Sequence, residues 1–389
     1  MRALRIGIVG AGQISGVYLG TLGQLSNVQV VAVADLDQAR ARAAAAAAPG
    51  ARPLAAADLF AAADVDLVLN LTIPAAHAEV ARAAIAAGKH VYGEKPLAVT
   101  TRQAREVLAA AARAGVRVGC APDTVLGTGV QTARACLDAG QIGAPVAATA
   151  FMVTPGHERW HPAPEFYYQP GGGPLFDMGP YYLTALVTLL GPVRRVAGMA
   201  ATPRATRVIG SGPRVGAEIG VAVATHVTGV LEHASGELST LVMSFDVWAG
   251  RLPHIEVYGT GGSLSVPDPN GFGGAVQIFR ADAQDWAPAA EAGGYRGAAR
   301  GYGVSDLASA LATGTAHRAN GEVAYHVLEV MEGLLAAADS GHAIDITSSF
   351  DRPPAVPFGA RPDDPRTGTR PAAQDTRRGP AQATHDGAF

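Results

Sequence analysis

Apolar residues in the first third of the chain fall in short continuous runs, at 4–9, 28–34, 65–71, 90–92 and 116–119. Between them lie Ala-rich stretches at 14–25, 37–48, 75–87 and 101–114. Such runs read as strands buried on both faces, and the stretches between them are long enough to be crossover helices. The alternation predicts an α/β Rossmann domain built on a doubly wound parallel sheet. Gly50, Gly88 and Gly115 follow three of the helical stretches, where C-terminal stops belong. After a further helical stretch at 129–139 the pattern changes to period two, at 146–153, 225–233, 238–246, 253–258 and 275–280. Ser235-Gly236, Gly261-Gly262 and Asn270-Gly271 punctuate these segments as turns. This predicts an α+β domain with a mostly antiparallel open sheet, covered on one face by helices near 180–190 and 321–339. The uncovered face would need a partner subunit, which points to a homodimer or homotetramer. The expected division is 1–122 for the dinucleotide domain and 123–352 for substrate binding and oligomerisation. From 353 to 389 the chain is rich in Pro, Gly, Arg and Asp, a disordered-tail composition.

Composition narrows the partners. With 48% apolar residues, 16% charged and a net charge of −3, the chain is globular and shows no basic run that would bind nucleic acid or a membrane surface. Cys120 and Cys136, the two cysteines, have neither disulfide-framework nor zinc spacing. His226, His233, His254 and His326 show no ligand spacing, so no metal is expected. The chain opens directly on a strand and holds no long apolar segment, so a cytoplasmic location and a small-molecule partner are expected.

Gly10-Ala11-Gly12-Gln13-Ile14-Ser15 stands where the first strand turns into the first helix. Gly10 permits the tight turn, Gly12 lets the backbone approach a pyrophosphate, and the helix start at Gln13 and Ile14 offers amide donors. Ser15 takes the place of the third glycine of the fingerprint and is small enough for close packing. Asp35 ends the second strand, where an acid accepts hydrogen bonds from the adenosine ribose. Its charge would repel a 2′-phosphate, favouring NAD over NADP. Asp37 is placed to cap the next helix, although the two acids could exchange roles.

Of the 30 basic residues only Lys89 and Lys95 are lysines. Arginine stays protonated, whereas a lysine can be brought toward neutrality and exchange protons. Lys95, in Tyr92-Gly93-Glu94-Lys95-Pro96, follows the strand at 90–92 at the carboxyl edge of the sheet, where doubly wound folds bind ligands. Lys89 lies at the opposite edge and reads as a surface charge. In the second domain, Gly171 to Tyr182 opens an apolar helix with Asp177 and Tyr181 one turn apart. On spacing alone, Asp177 could equally be an N-cap and Tyr181 a core aromatic. The preceding His157-Glu158-Arg159-Trp160-His161 and Phe166-Tyr167-Tyr168 suit stacking on a sugar or, equally, a subunit interface. Trp160, His161 and Tyr182 are the candidate substrate contacts.

Taken together, the turn from Gly10 to Ser15, Glu94-Lys95-Pro96 and the helix start from Asp177 to Tyr181 resemble the Gfo/Idh/MocA family, over nearly the whole chain to about Pro354. The resemblance implies that Lys95 is the catalytic lysine and Asp177 the helix-start carboxylate, with Glu94 beside the cofactor. It places Thr72, Pro74 and His77 on the nicotinamide side of the cleft. The family's usual catalytic histidine is replaced by Tyr181, as in some members that retain redox chemistry. The implied activity is hydride transfer between NAD(P) and a secondary hydroxyl or ketone of a sugar or cyclitol, with the proton passing through Tyr181 or Lys95. The family also contains glycosidases that cycle a held NAD through oxidation and reduction, which is the alternative. A noncatalytic nucleotide sensor would be expected to have lost the lysine motif, which is intact here.

Overall fold

The computed structural model describes residues 2–364, and the part of the expected tail at 365–389 lies outside the described residues. The first sheet holds β1 (Leu4–Val9), β2 (Val28–Ala34), β3 (Arg52–Pro53), β4 (Leu67–Asn70), β5 (His90–Gly93) and β6 (Val118–Cys120). All pair in parallel, in the order β3-β2-β1-β4-β5-β6. Helices α1 (Ser15–Leu22), α2 (Gln38–Ala46), α3 (Ala56–Ala61), α4 (Pro74–Ala86) and α5 (Thr101–Ala114) make the crossovers. Ile6, Ile8, Leu67 and Leu69 are fully buried, which is why these strands carry unbroken apolar runs. The winding reverses between β1 and β4, so the crevice of a doubly wound sheet opens at the carboxyl ends of those two strands.

Helix α6 (Thr128–Asp138) leads into a second sheet of nine strands. Its members are β7 (Pro145–Val153), β8 (Val193–Ala201), β11 (His226–His233), β12 (Leu238–Ser244), β13 (Ile255–Gly259), β14 (Gly262–Val266), β15 (Gln277–Arg280), β16 (Ala287–Pro288) and β17 (Ile344–Asp345). Every adjacent pair is antiparallel except β7 with β12. The short strands β9 (Thr206–Val208) and β10 (Glu218–Gly220) form a separate ribbon. Helices α7 (Gly173–Leu190) and α9 (Gly321–Ser340) cover one face, and the other presents exposed Met199, Val230 and Leu238. α7 begins seven residues before the expected 180, because Pro174 suits a first helical turn and the glycines ahead of it form the entry and not a loop. Asp177 therefore lies inside the helix, and Gly172 is its N-cap.

The chain also returns to the first domain. Helix α8 (Tyr302–Thr313), which the Gly- and Thr-rich sequence around it conceals, packs against α1 and β6. Asn27 Nδ2 donates to Ser305 O and Ser309 Oγ, both at 2.9 Å. Residues 353–364, expected within the tail, instead lie against the body of the protein. Val356 N donates to Gln131 Oε1 at 2.8 Å, Ser309 Oγ to Pro362 O at 2.5 Å, and Ser26 Oγ to Asp363 Oδ2 at 2.9 Å. Their backbone polar groups find fixed partners, which offsets a composition poor in large apolar side chains.

The junction of α8 with β6 leaves no spare volume. A Cβ on Gly303 would stand 2.1 Å from Tyr92 Oη and 2.9 Å from Asp123 Cβ. Both neighbours are buried, so neither can swing aside. Gly303→Ala is expected to destabilise the protein by about 1–3 kcal/mol, read as a lower denaturant midpoint, whereas Gly88→Ala, which meets open space, tests only the cost of its positive φ.

Candidate active site at the domain junction

The crevice between β1 and β4 is built from backbone. Gly10 has φ +101°, and a Cβ there would lie 2.6 Å from Leu71 O, so only glycine lets the turn after β1 pass the end of β4. A Cβ on Gly12 would meet nothing within 4 Å, so the close approach Gly12 allows is to something outside the protein's own packing. Helix α1 has no side-chain cap, and the amides of Gly12, Gln13 and Ile14 make no hydrogen bond among the described residues. Free amides at a helix start form an anion site, and they fit a dinucleotide pyrophosphate. Ser15 is buried, with Oγ donating to Gly12 O at 2.7 Å, which ties the glycine turn to the helix.

Asp35 and Asp37 separate in role. Asp37 Oδ1 accepts from Ala39 N and caps α2. Asp35 Oδ2 accepts from Ala11 N at 2.7 Å and Oδ1 from Asp37 N at 2.8 Å, which holds its carboxylate beside the glycine turn. Across the crevice, Thr72 Oγ1 donates to Asn70 Oδ1 at 2.6 Å, and Pro74 opens α4. His77 is buried and its ring is spanned by backbone: Nδ1 lies 2.6 Å from Pro96 O and Nε2 3.0 Å from Thr72 O. It staples the turn after β4 to the turn after β5 and does not face the cleft. Glu94 is likewise wired inward, with Oε1 accepting from Tyr18 Oη at 2.8 Å and Oε2 from Lys95 N at 3.0 Å. Lys89 Nζ donates to Ala62 O at 2.8 Å, an anchor at the other edge of the sheet.

Lys95 reaches out of the first domain to α7. Its Nζ donates to Asp177 Oδ1 at 2.9 Å and to Asp177 O at 2.5 Å, and lies 5.2 Å from the centre of the Tyr181 ring. Both side chains of the pair are mostly buried, 16% and 19% exposed. Burial works against the ammonium, but Asp177, Tyr181 and Glu94 together raise the Lys95 pKa above its ordinary value. Lysine is therefore a fixed cation here and not the near-neutral amine that its rarity suggested. Burial likewise opposes the Asp177 carboxylate, yet Lys95 and His157 hold it down to about 2.

Two residues absent from the sequence-derived site complete it. His157 Nε2 contacts Asp177 Oδ2 at 3.0 Å, while its buried Nδ1 has no partner among the described residues. Arg300 Nη2 donates to Tyr181 Oη at 3.1 Å and to Asn270 Oδ1 at 2.9 Å. Trp160 and His161 surround this group instead of facing Lys95. Trp160 lies 5.2 Å from the His157 ring and is exposed, and His161 packs on Trp160, Phe166 and Tyr167. Burial and the Asp177 charge push Tyr167 up to about 12, which keeps its phenol protonated. Tyr182 turns the other way; it is buried, with Oη 2.9 Å from His254 Nδ1, and is withdrawn from the cleft.

The sheet order and the free amides beside a glycine turn are those of a dinucleotide-binding fold, and a second domain brings Asp177 and Tyr181 up to Lys95 at the sheet's carboxyl edge. Residues 4–121 match the model of the oxidoreductase family with an NAD-binding Rossmann fold, and residues 130–265 match the GFO/IDH/MocA C-terminal domain. The chain belongs to the Gfo/Idh/MocA family. Among curated relatives it is 40% identical over 119 residues to a 1,5-anhydro-D-fructose reductase of Ensifer adhaerens, covering 30% of this chain and 34% of that one. It is 37% identical over 150 residues to an inositol 2-dehydrogenase of Pseudomonas syringae, covering 37% of this chain and 44% of the relative. These matches therefore span between a third and a half of the relatives' length. Among solved structures, an NAD-binding oxidoreductase from Klebsiella pneumoniae superposes with TM-score 0.76 at 26% identity, over 89% of this chain and all of that one. A levoglucosan dehydrogenase superposes with TM-score 0.75 at 20% identity, over 90% of this chain and 100% of that one, a likeness of fold.

The sign of the Asp177 shift sets a pH dependence. A carboxyl held below its unfolded value contributes stability above that value and loses it as pH falls through the folded one. The contribution of the pair is thus expected to be constant above about pH 5 and to fade between about pH 4 and 2. Asp177→Leu, which leaves Lys95 buried without its partner, is expected to cost about 3–5 kcal/mol at pH 7. Urea titrations of both forms across this range check the loss and its disappearance in acid.

Proposed function

We propose that the chain is an NAD(P)-dependent dehydrogenase that moves a hydride between the nicotinamide and a secondary hydroxyl or ketone of a sugar or cyclitol. The observation that carries this reading is the convergence of Lys95, Asp177 and Tyr181 at the mouth of the crevice whose far end is lined by the free amides of Gly12, Gln13 and Ile14. When bound, NAD(P) supplies the hydride acceptor or donor. Thr72 and Pro74 form the wall of the crevice after β4, and His77 and Glu94 hold the turns on which the nicotinamide side depends. The Asp35 carboxylate, with Asp37 two residues on, favours the ribose hydroxyls of NAD over the 2′-phosphate of NADP.

In this reading Lys95 serves as the cation that binds the substrate oxygen, Asp177 orients it, and Tyr181 carries the proton. A charged lysine stabilises negative charge developing on the oxygen without itself giving up a proton. Exposed Trp160 offers an apolar ring face on which a sugar can stack. The relatives named for inositol and anhydrofructose chemistry support this substrate class. The open face carrying Met199, Val230 and Leu238 is the surface we assign to self-association.

Absorbance of reduced cofactor, followed with NAD+ and NADP+ across inositols, pyranoses and glycosides, tests the reading. Turnover confined to one hydroxyl stereochemistry, faster with NAD+, is expected, and Lys95→Ala should lower kcat by about 100-fold or more. Glycoside cleavage with no accumulated NADH would establish the redox-cycling hydrolase instead, and wild-type turnover in Lys95→Ala would remove the lysine from the mechanism.

A further inference from the structure

The cation that touches the Tyr181 oxygen is not Lys95. Both hydrogen bonds of Lys95 Nζ go to Asp177, and its position over the Tyr181 ring, 5.2 Å from the centroid, brings it to the ring face. Arg300 reaches the hydroxyl itself, at 3.1 Å, and its guanidinium carbon lies 5.8 Å from the same ring. Arginine has only donors, so in this contact the phenol oxygen is the acceptor and its own proton must point elsewhere. Tyr181 Oη has no other partner among the described residues. Tyr181 is itself buried at 6% exposure, so its hydroxyl has little access to bulk water.

Arg300 is in turn held from both sides. Asn270 Oδ1 accepts from the same Nη2 at 2.9 Å. The next residue, Gly301, has φ +107°, and the amides of Gly301 and Gly303 both donate to Asp123 Oδ2 at 2.9 Å. Asp123 lies just past β6 and is fully buried, so the arginine's backbone is fastened to the edge of the same sheet that carries Lys95. The first domain thus supplies one cation through β5, and the start of α8 supplies another against it, with Tyr181 between them.

We propose that Arg300 is a positioning residue for the proton step: by donating to Tyr181 Oη it turns the phenol's proton toward the substrate oxygen and stabilises the oxygen once that proton has left. The inference rests on the dehydrogenase reading. In the reductive direction the hydride is received at the substrate's carbonyl carbon while the Tyr181 proton passes to the carbonyl oxygen, giving an alcohol, oxidised cofactor and a phenolate facing Arg300. The oxidative direction is the reverse, with the alcohol proton returned to the phenolate oxygen. A cation in contact with that oxygen favours the charged form.

The test combines kinetics with a probe that needs no turnover. With NAD+ and the panel substrate that gives the highest wild-type rate, Arg300→Ala is expected to lower kcat about 10- to 100-fold with little change in KM for NAD+. Guanidinium ion should restore part of the loss, and Arg300→Lys should retain more activity than Arg300→Ala. In a Tyr181→Phe background, Arg300→Ala should have no further effect. Full kcat in Arg300→Ala, or a loss of equal size when Tyr181 is already phenylalanine, would overturn the proposal. Independently, 3-fluorotyrosine placed at position 181 should show a fluorine resonance that shifts in Arg300→Ala while the melting temperature stays within a few degrees, and an unmoved resonance would overturn the contact. If the wild type reduced NAD+ with none of the panel substrates, the dehydrogenase reading would fall, whereas the fluorine comparison would still decide the contact with Tyr181.

Discussion

One ion pair organises the molecule. Lys95 comes from the turn after β5 in the first sheet, and Asp177 sits on the second turn of α7 in the other domain, 2.9 Å away. Each charge is buried to an extent that would be costly alone, and each holds the other in its charged form. The interaction therefore does two things at once: it ties α7 of the second domain to the first sheet and keeps a cation where the crevice opens. His157 Nε2 donates to Oδ2, the carboxylate oxygen that Lys95 Nζ does not hold, so the carboxylate is gripped through both of its oxygens.

Around that pair the protein uses backbone where the cofactor must come close and side chains where chemistry must be aimed. Gly10 and Gly12 clear the crevice, and the uncapped start of α1 leaves amides free. The residues behind the crevice are turned inward, His77 lying between two carbonyls and Glu94 accepting from Tyr18 and from its own neighbour's amide. The aromatic loop is anchored by buried charge: Arg207 pairs with Glu158 and Asp246, with Tyr168 Oη on the same glutamate. That network keeps His157 and Trp160 in place although the loop has little regular structure.

What could be read in the chain was what local pattern encodes. The glycine turn, the strand before it and the acid after the next strand lie close in sequence, so the Rossmann half was legible, and with it the placing of Asp35 beside the glycine turn. Lys95 was legible by rarity and position, but the sign of its perturbation was not, because the carboxylate that raises its pKa is 82 residues away. Arg300 gave no signal for the same reason: a single arginine before a glycine acquires meaning only when α8 folds back onto β6. The start of α7 was obscured by three consecutive glycines, and Tyr182, adjacent to Tyr181, was drawn into the site by proximity although the helix turns it toward His254. Residues 353–364 have a tail's composition and a packed segment's hydrogen bonds, a difference that composition does not carry.

The central claim is that Lys95 and Asp177 act as one unit. A double-mutant cycle of Lys95→Met and Asp177→Leu, read in kcat for NADH formation and in urea stability on the same samples, tests it most directly. The account predicts that the double variant is no slower than the worse single variant and is more stable than either, because two apolar side chains replace a buried pair without leaving a lone charge. Losses that simply add in both readouts would show that the two residues work independently, and would contradict the account.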